Sequence, residues 1–295
     1  MKAQNHQMKK IIRLTILMFT TPWILKAQDI QVTRITGDVI VLHPRVVNDI
    51  SIMRRVGGNV VAVRTDSGIV VIDSFTSPEM GNDARDLIRN HFPNLPIKYL
   101  INTHHHSDHI GGNASFGDAC IIGHKNMMDH GAIPLSIQIS SNAFLKLGGK
   151  TFEILHFGTA HTNNDLVVLD REDRLLVMGD LLCYRKCYIM NPESDAINWI
   201  RLLDTLISRS DEYDFVIPGH CEIALHVDAL IEQHDYLSGL CDAVKLARLR
   251  NLSLEQAKEA IRLEQYQTYM MYERLGDDIE AYWKQSEKEI GKVQQ

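Results

Sequence analysis

Short runs of branched apolar residues, separated by turn-forming clusters, recur along the chain up to His220. Beyond that point the apolar residues fall at helical spacing. Ile30–Thr33 and Val39–Leu42 read as short strands. His43–Gly58 reads as an arginine-containing connection that ends in Gly57-Gly58. Val60–Val63 and Ile69–Ile72 are β-branched runs divided by Asp66-Ser67-Gly68, the pattern of a hairpin and its turn. Ser77-Pro78-Glu79 supplies a cap and a first-turn proline for a helix with Met80, Ala84, Leu87 and Ile88 on one face. Ile97–Ile101 is a buried strand that delivers the chain into Thr103. Cys120–Ile122 is a further strand and Lys125–His130 a short helix. Phe144–Leu147 and Phe152–His156 form a hairpin across Gly148-Gly149, and Leu166–Leu169 and Leu175–Met178 another across the charged turn 170–174. Asp195 caps a helix with Ile197, Ile200, Leu203 and Ile207 at helical spacing, and Phe215–Ile217 is a last strand.

From Val227 onward the pattern is helical only. Leu230, Ile231, Leu237, Leu240 and Val244 share one face, and Ser253-Leu254-Glu255-Gln256 is a capping box. Tyr266, Tyr269, Met270 and Tyr272 form an aromatic stripe read as packing. Two β-rich halves, each followed by helix, suggest a duplicated α/β arrangement with a helical appendage.

Composition changes this picture at the N-terminus. Lys2, Lys9, Lys10 and Arg13 precede a mostly apolar run, Leu14–Leu25, then Lys26-Ala27, and no acid appears before Asp29. That is the pattern of a secretory signal peptide over residues 1–27, which points to a periplasmic or secreted protein. The apolar run is short for a stable membrane span, and nothing later approaches one. The 295 residues carry a net charge of −6 and no basic block, which disfavours nucleic acid as a partner and leaves a small-molecule substrate open. Five cysteines lack any CxxC spacing. Cys183 and Cys187 are close enough in sequence to pair, but isolated buried thiols suit the set better.

The candidate chemistry lies at the strand ends. Thr103-His104-His105-His106-Ser107-Asp108-His109 packs four imidazoles and a carboxylate into six residues. A core does not accept such a group without partners, so the segment is either a solvated polar loop or a metal site. Three other strands also lead to ligand-type residues: Phe152–Phe157 to His161, Leu175–Met178 to Asp180, and Phe215–Ile217 to His220. Four strands aiming His or Asp at one sheet edge favour the metal reading.

The pattern His104-x-His106-x-Asp108-His109, followed by Gly158-Thr159-Ala160-His161-Thr162, Met178-Gly179-Asp180 and Pro218-Gly219-His220, resembles the metallo-β-lactamase-fold hydrolases. The resemblance implies a four-layer αββα sandwich over residues 28–225, with C-terminal helices over 226–295 packed on it. It also implies two Zn2+ ions per chain, or Fe or Mn in their place. One ion would take His104, His106 and His161, the other Asp108, His109 and His220, with Asp180 between them. A bridging hydroxide would then cleave a carbonyl ester, thioester, lactone or amide, and Asp108 would orient it and move a proton. His105 is expected to face away, Asp165 and Thr162 to support His161, Tyr184 either to reach the site or to pack in a loop, and Cys221 to be structural.

Among branches, the familiar lactamases lack an acid at the position of Asp180. Glyoxalase II-like thioesterases share the Thr-His-x-His-x-Asp-His run, but their basic glutathione-binding pattern is missing here. His234-Asp235-Tyr236-Leu237-x-x-Leu240 and Ser253-Leu254-x-x-Ala257 resemble the tail of exported zinc hydrolases linked to quinoprotein systems, with lactonase-like relatives. That branch is favoured. An exported β-lactamase, a mononuclear iron enzyme resembling the sulfur dioxygenases, and an inert metal scaffold are the alternatives. Substrate choice is expected to rest on His43–Gly58 and Leu181–Asp195.

Overall fold

The computed structural model describes residues 29–46, 49–131, 135–223 and 225–293. The proposed signal segment therefore lies outside the described residues. The first half runs β1 (Ile30–Arg34), β2 (Val39–Pro44), α1 (Ile50–Val56), β3 (Val60–Thr65), β4 (Gly68–Ile72), α2 (Pro78–His91), β5 (Ile97–Ile101), α3 (Ser107–Ile110), β6 (Cys120–His124) and β7 (Ile137–Ile139). The second runs β8 (Ala143–Leu147), β9 (Lys150–Leu155), β10 (Val167–Asp170), β11 (Leu175–Gly179), α4 (Ala196–Ser208), β12 (Phe215–Pro218), α5 (Val227–Leu249), α6 (Leu254–Ala260) and α7 (Leu275–Val293).

β1 to β7 form one sheet in sequence order, antiparallel as far as β4 and parallel from β4 to β7. The second sheet has the order β12-β11-β10-β9-β8 and is antiparallel except for the β11–β12 pair. The period-two geometry of a strand divides each apolar run between two faces. Val39, Val41, Val61, Val63, Val70 and Ile72 turn inward and meet Phe152, Ile154, Val168, Val177 and Ile217 of the second sheet. The alternate residues Ile40, Leu42, Ala62 and Val71 pack outward against Ala84 and Ile88 of α2. Leu155, Val167, Leu169 and Leu176 pack outward against α4, α5 and α7. The result is helix, sheet, sheet, helix: a four-layer αββα sandwich.

Three readings need correction. The connection after β2 contains a helix, α1. Asp49 caps it by accepting from the N–H groups of Ser51 and Ile52, a contact worth about 1 kcal/mol. The buried face of α4 is Trp199, Leu202, Leu203 and Leu206, while Ile197, Ile200 and Ile207 lie at its margin. Trp199 decides that rotation, since it is fully buried and donates its indole N–H to the Leu181 carbonyl at 2.9 Å. The tail is also not helical throughout. Between α6 and α7 it runs through single 3-10 turns, and Met270 forms a parallel bridge to Lys186.

Candidate metal centre

β5 ends at Ile101, and its extension is gripped from β4. Asp73, at φ 61°, accepts the backbone N–H and the hydroxyl of Thr103, each at 2.8 Å, and Nδ1 of His109 lies 2.8 Å from the same carboxylate. This one buried acid fixes the start of the histidine run and one of its imidazoles. The run then turns into α3, which carries Asp108 and His109. His161 follows β9, Asp180 follows β11 and His220 follows β12, all at the same edge of the paired sheets.

The structure brings these residues into two adjoining groups. In His104, His106, His161 and Asp180, and again in Asp108, His109 and His220, the candidate ligand atoms lie within 4.8 Å of one another. Asp180 faces both. Its Oδ2 stands 3.9 Å from His104 Nε2 and 3.6 Å from His161 Nε2, and its Oδ1 stands 3.2 Å from His109 Nε2 and 3.3 Å from His220 Nε2. His220 Nε2 is also 3.2 Å from Asp108 Oδ2.

The donor set suits a cation. The Thr103 hydroxyl donates to Asp73, so His104 Nδ1 must donate to the Thr103 oxygen, 3.0 Å away. His161 Nδ1 donates to the Ile189 carbonyl at 3.1 Å. Both rings therefore present bare Nε2 lone pairs, and both point at His106 Nδ1, at 3.0 and 3.2 Å. His106 has one Nδ1 proton at most, so at least one contact sets lone pair against lone pair. Burial, with neighbouring imidazoles, pushes His106 down to about 4 and holds His104 well below its usual range. Burial likewise brings His161 down to about 4. In the second group burial opposes protonation too, but Asp180 and Asp108, joined at His109 by Asp73, outweigh it and raise both His109 and His220. The Oδ1 of Asp180 is buried and makes no well-aligned hydrogen bond, although two ring nitrogens stand 3.2 and 3.3 Å from it. Converging lone pairs in one group and a demand for positive charge in the other are the signature of ligands awaiting cations.

The remaining candidates fall as follows. His105 turns aside, stacks on His130 at 3.6 Å and bonds Asn164 through both its backbone N–H and its ring. With His106 and Glu193 it forms a third group of ligand-type atoms, less buried than the other two. Ser107 is exposed. Asp165 accepts from the backbone N–H and hydroxyl of Thr162, so this pair braces the loop after His161, while the imidazole itself rests on Ile189. Tyr184 packs on the outer core with Arg185 over its ring at 5.0 Å and lines neither cavity at the site. Cys221 is buried outside both ligand groups, and no disulfide joins cysteines among the described residues, Cys183 and Cys187 included.

Two cavities meet over the groups. One, of about 480 Å³, is bordered by His106, His161 and Asp180 on one side and by Arg274 and Lys284 on the other. The second, of about 180 Å³, is bordered by Met53, Asp108, His220, Met270 and Met271. Lys186 and Tyr188 border both. Lys186 and Tyr188 fall within Leu181–Asp195, the stretch expected to set substrate choice, whereas Asp73 and Arg274 were not foreseen from sequence. Only Asp73 left a signal, an acid closing a wholly apolar strand.

Comparison with known proteins fits this geometry. A profile of the metallo-beta-lactamase superfamily matches residues 53–220. The chain is 26% identical over 169 residues to the alpha subunit of 2,4-dinitroanisole O-demethylase from Nocardioides sp. (strain JS1661), a match covering 54% of this chain and 51% of that protein. It thus spans about half the length of that relative. A stereoselective inverting sec-alkylsulfatase from Pseudomonas sp. superposes with a TM-score of 0.74 at 15% identity, over 87% of this chain and 50% of its own. A metallo-beta-lactamase from Pontibacter korlensis superposes with a TM-score of 0.62 at 19% identity, over 71% of this chain and 99% of its own. At such identities the two structures speak to fold, whereas the profile spans more than half of the chain and takes in every residue of both ligand groups. The chain belongs to the metallo-β-lactamase superfamily.

Proposed function

We propose that the protein is a two-zinc hydrolase that cleaves a carbonyl ester, thioester, lactone or amide. The observation that carries this reading is the division of Asp180, one carboxylate oxygen toward His104 and His161 and the other toward His109 and His220. A carboxylate so placed would serve two cations, one that His104, His106 and His161 would hold and one that Asp108, His109 and His220 would hold. Bound there, a pair of divalent ions supplies Lewis acidity and hydroxide at neutral pH.

The chain's own residues supply the rest. Asp108 is half-buried at the small cavity, with one oxygen 3.2 Å from His220 Nε2. Burial would raise its carboxyl, but His109 and His220 outweigh that and hold it well below the usual range, so it is ionised at neutral pH and can orient an attacking group as a hydrogen-bond acceptor; a proton it takes up would pass at once to a more basic leaving atom. Lys186 places an ammonium between the two cavities and so favours a substrate with a negative group beside the scissile bond. The methionine-lined cavity favours an apolar arm on the Asp108 side. The basic and apolar N-terminal pattern supports export, which cell fractionation tests.

The test is a panel of lactones, thioesters, β-lactams and phosphodiesters, with metal content measured on the same preparation. An alkyl sulfate and an aryl methyl ether join it because the proteins compared above include an alkylsulfatase and an O-demethylase. Turnover of a carbonyl substrate supports the reading. Turnover of the sulfate or the ether alone overturns the carbonyl assignment.

A further inference from the structure

The C-terminal helices meet the metal centre through one buried acid. The backbone N–H groups of Tyr188, Ile189 and Met190 converge on the carboxylate of Asp278 in α7, at 2.7, 2.9 and 2.8 Å. Tyr236 of α5 donates its hydroxyl to the same carboxylate at 2.6 Å. Tyr188 takes a φ of 60°, which turns successive N–H groups to one side and makes a concave anion nest. Asp278 is 0% exposed. A carboxylate is costly to bury, and four donors offset that cost.

The other side of the same segment holds His161. Ile189 gives its N–H to Asp278 and its carbonyl to His161 Nδ1, at 3.1 Å. Asn191 Nδ2 and Ser194 Oγ donate to the backbone carbonyl of His161, at 2.9 and 2.8 Å. Ring and backbone of His161 are therefore both set by residues 189–194. That stretch is tied in turn to Asp278, 89 positions beyond Ile189.

We propose that Asp278 is a positioning residue for His161, acting through Ile189 to fix the imidazole's orientation and its Nδ1–H tautomer. The helical extension thereby completes the metal centre. The inference rests on the reading of His161 as a ligand, because a ring held with its Nε2 bare is what a metal ion requires.

The test uses the full-length chain and three variants. Asp278→Asn keeps the shape but removes the charge and sets an amide N–H toward the nest. Tyr236→Phe removes one of the four donors. Arg248→Ala is the control. Arg248 ties α5 to α7 through the Trp283 carbonyl at 2.6 Å and lies over the Trp283 ring, without touching residues 188–190. Histidine-ring 15N NMR on chelator-treated protein reads the His161 tautomer, and competition with a chromophoric chelator reads Zn2+ affinity. In Asp278→Asn, His161 is expected to populate both tautomers and Zn2+ affinity to weaken about tenfold or more, the range for groups that orient a ligand. Tyr236→Phe is expected to move both readouts the same way by less, and decides the matter if Asp278→Asn does not fold. Arg248→Ala is expected to lower the melting temperature and leave both readouts unchanged. A single His161 tautomer with wild-type affinity in Asp278→Asn overturns the proposal, as does an equal affinity loss in Arg248→Ala. If the unaltered chain binds no Zn2+, the two-zinc reading fails, and the tautomer measurement alone decides the role of Asp278.

Discussion

Gly219 separates β12 from His220, and substituting it tests how tightly the centre is built. A Cβ at this position would lie 2.0 Å from Asp180 Oδ1, 2.6 Å from the Gly179 carbonyl carbon and 2.8 Å from the Asp180 backbone nitrogen. Two of these neighbours are backbone and cannot move aside cheaply. The third is the oxygen that faces His109 and His220, on a carboxylate whose other oxygen faces His104 and His161. Relief therefore comes only by rotating Asp180 out of the space between the two groups or by pushing β12 away from β11. Overpacking of this kind costs about 1–3 kcal/mol of stability, and displacing a ligand-orienting group costs about 10- to 100-fold in metal affinity. Gly219→Ala is accordingly expected to fold, to melt lower and to lose Zn2+ affinity in chelator competition. Gly37→Ala, where a Cβ meets nothing within 4 Å, is expected to match the unaltered protein. Unchanged Zn2+ affinity in Gly219→Ala would refute the placement of Asp180 between the groups.

Asp108→Asn removes the proton carrier and is expected to lower turnover about 10²- to 10⁴-fold while the circular dichroism spectrum stays the same; full turnover in this variant rules out the role. Asp180→Ser is expected to lower the bound metal per chain, read by atomic emission after dialysis, and two ions retained would mean that it joins nothing. Burial lifts the Asp165 carboxyl to about 8, against two lowering hydrogen bonds from Thr162, from 3.8 in the unfolded chain. The native state then holds the proton more tightly, so stability falls as pH rises between these two values. Denaturant unfolding of chelator-treated protein should show that slope, and Asp165→Asn should flatten it; an unaltered slope would place the titration elsewhere.

The sheets were legible because β-branched runs at period two carry their own signal, and flanking turns set their ends. α1 was not, since Ile50–Val56 makes only two turns, too short for its four apolar residues to establish a helical period, and Asp49 is its one clear start signal. In α4 two overlapping stripes compete, Ile197-Ile200-Leu203-Ile207 and Trp199-Leu202-Leu203-Leu206, and the larger buried area of the tryptophan decides between them. The ligand-type residues were legible because they cluster just after strand ends. Their supports were not. Asp73 lies 36 residues before His109, and Asp278 lies 89 after Ile189. Such pairs exist only once the layers pack, and a backbone carbonyl such as that of Ile189 leaves no mark in a sequence. Lys186 and Tyr188 fell within a stretch expected to set substrate choice, but the part the tail plays beside them was hidden, because only the bridge between Lys186 and Met270 brings the tail to the cavity.

The central claim is that Asp180 joins two metal positions. Its most direct test is a titration of Zn2+ into chelator-treated protein, with bound metal and hydrolysis followed together. Binding of two ions per chain, with activity still rising through the second equivalent, is the expected result. Saturation of binding and activity at one equivalent, or recovery of a single iron per chain with oxygen uptake, would contradict it.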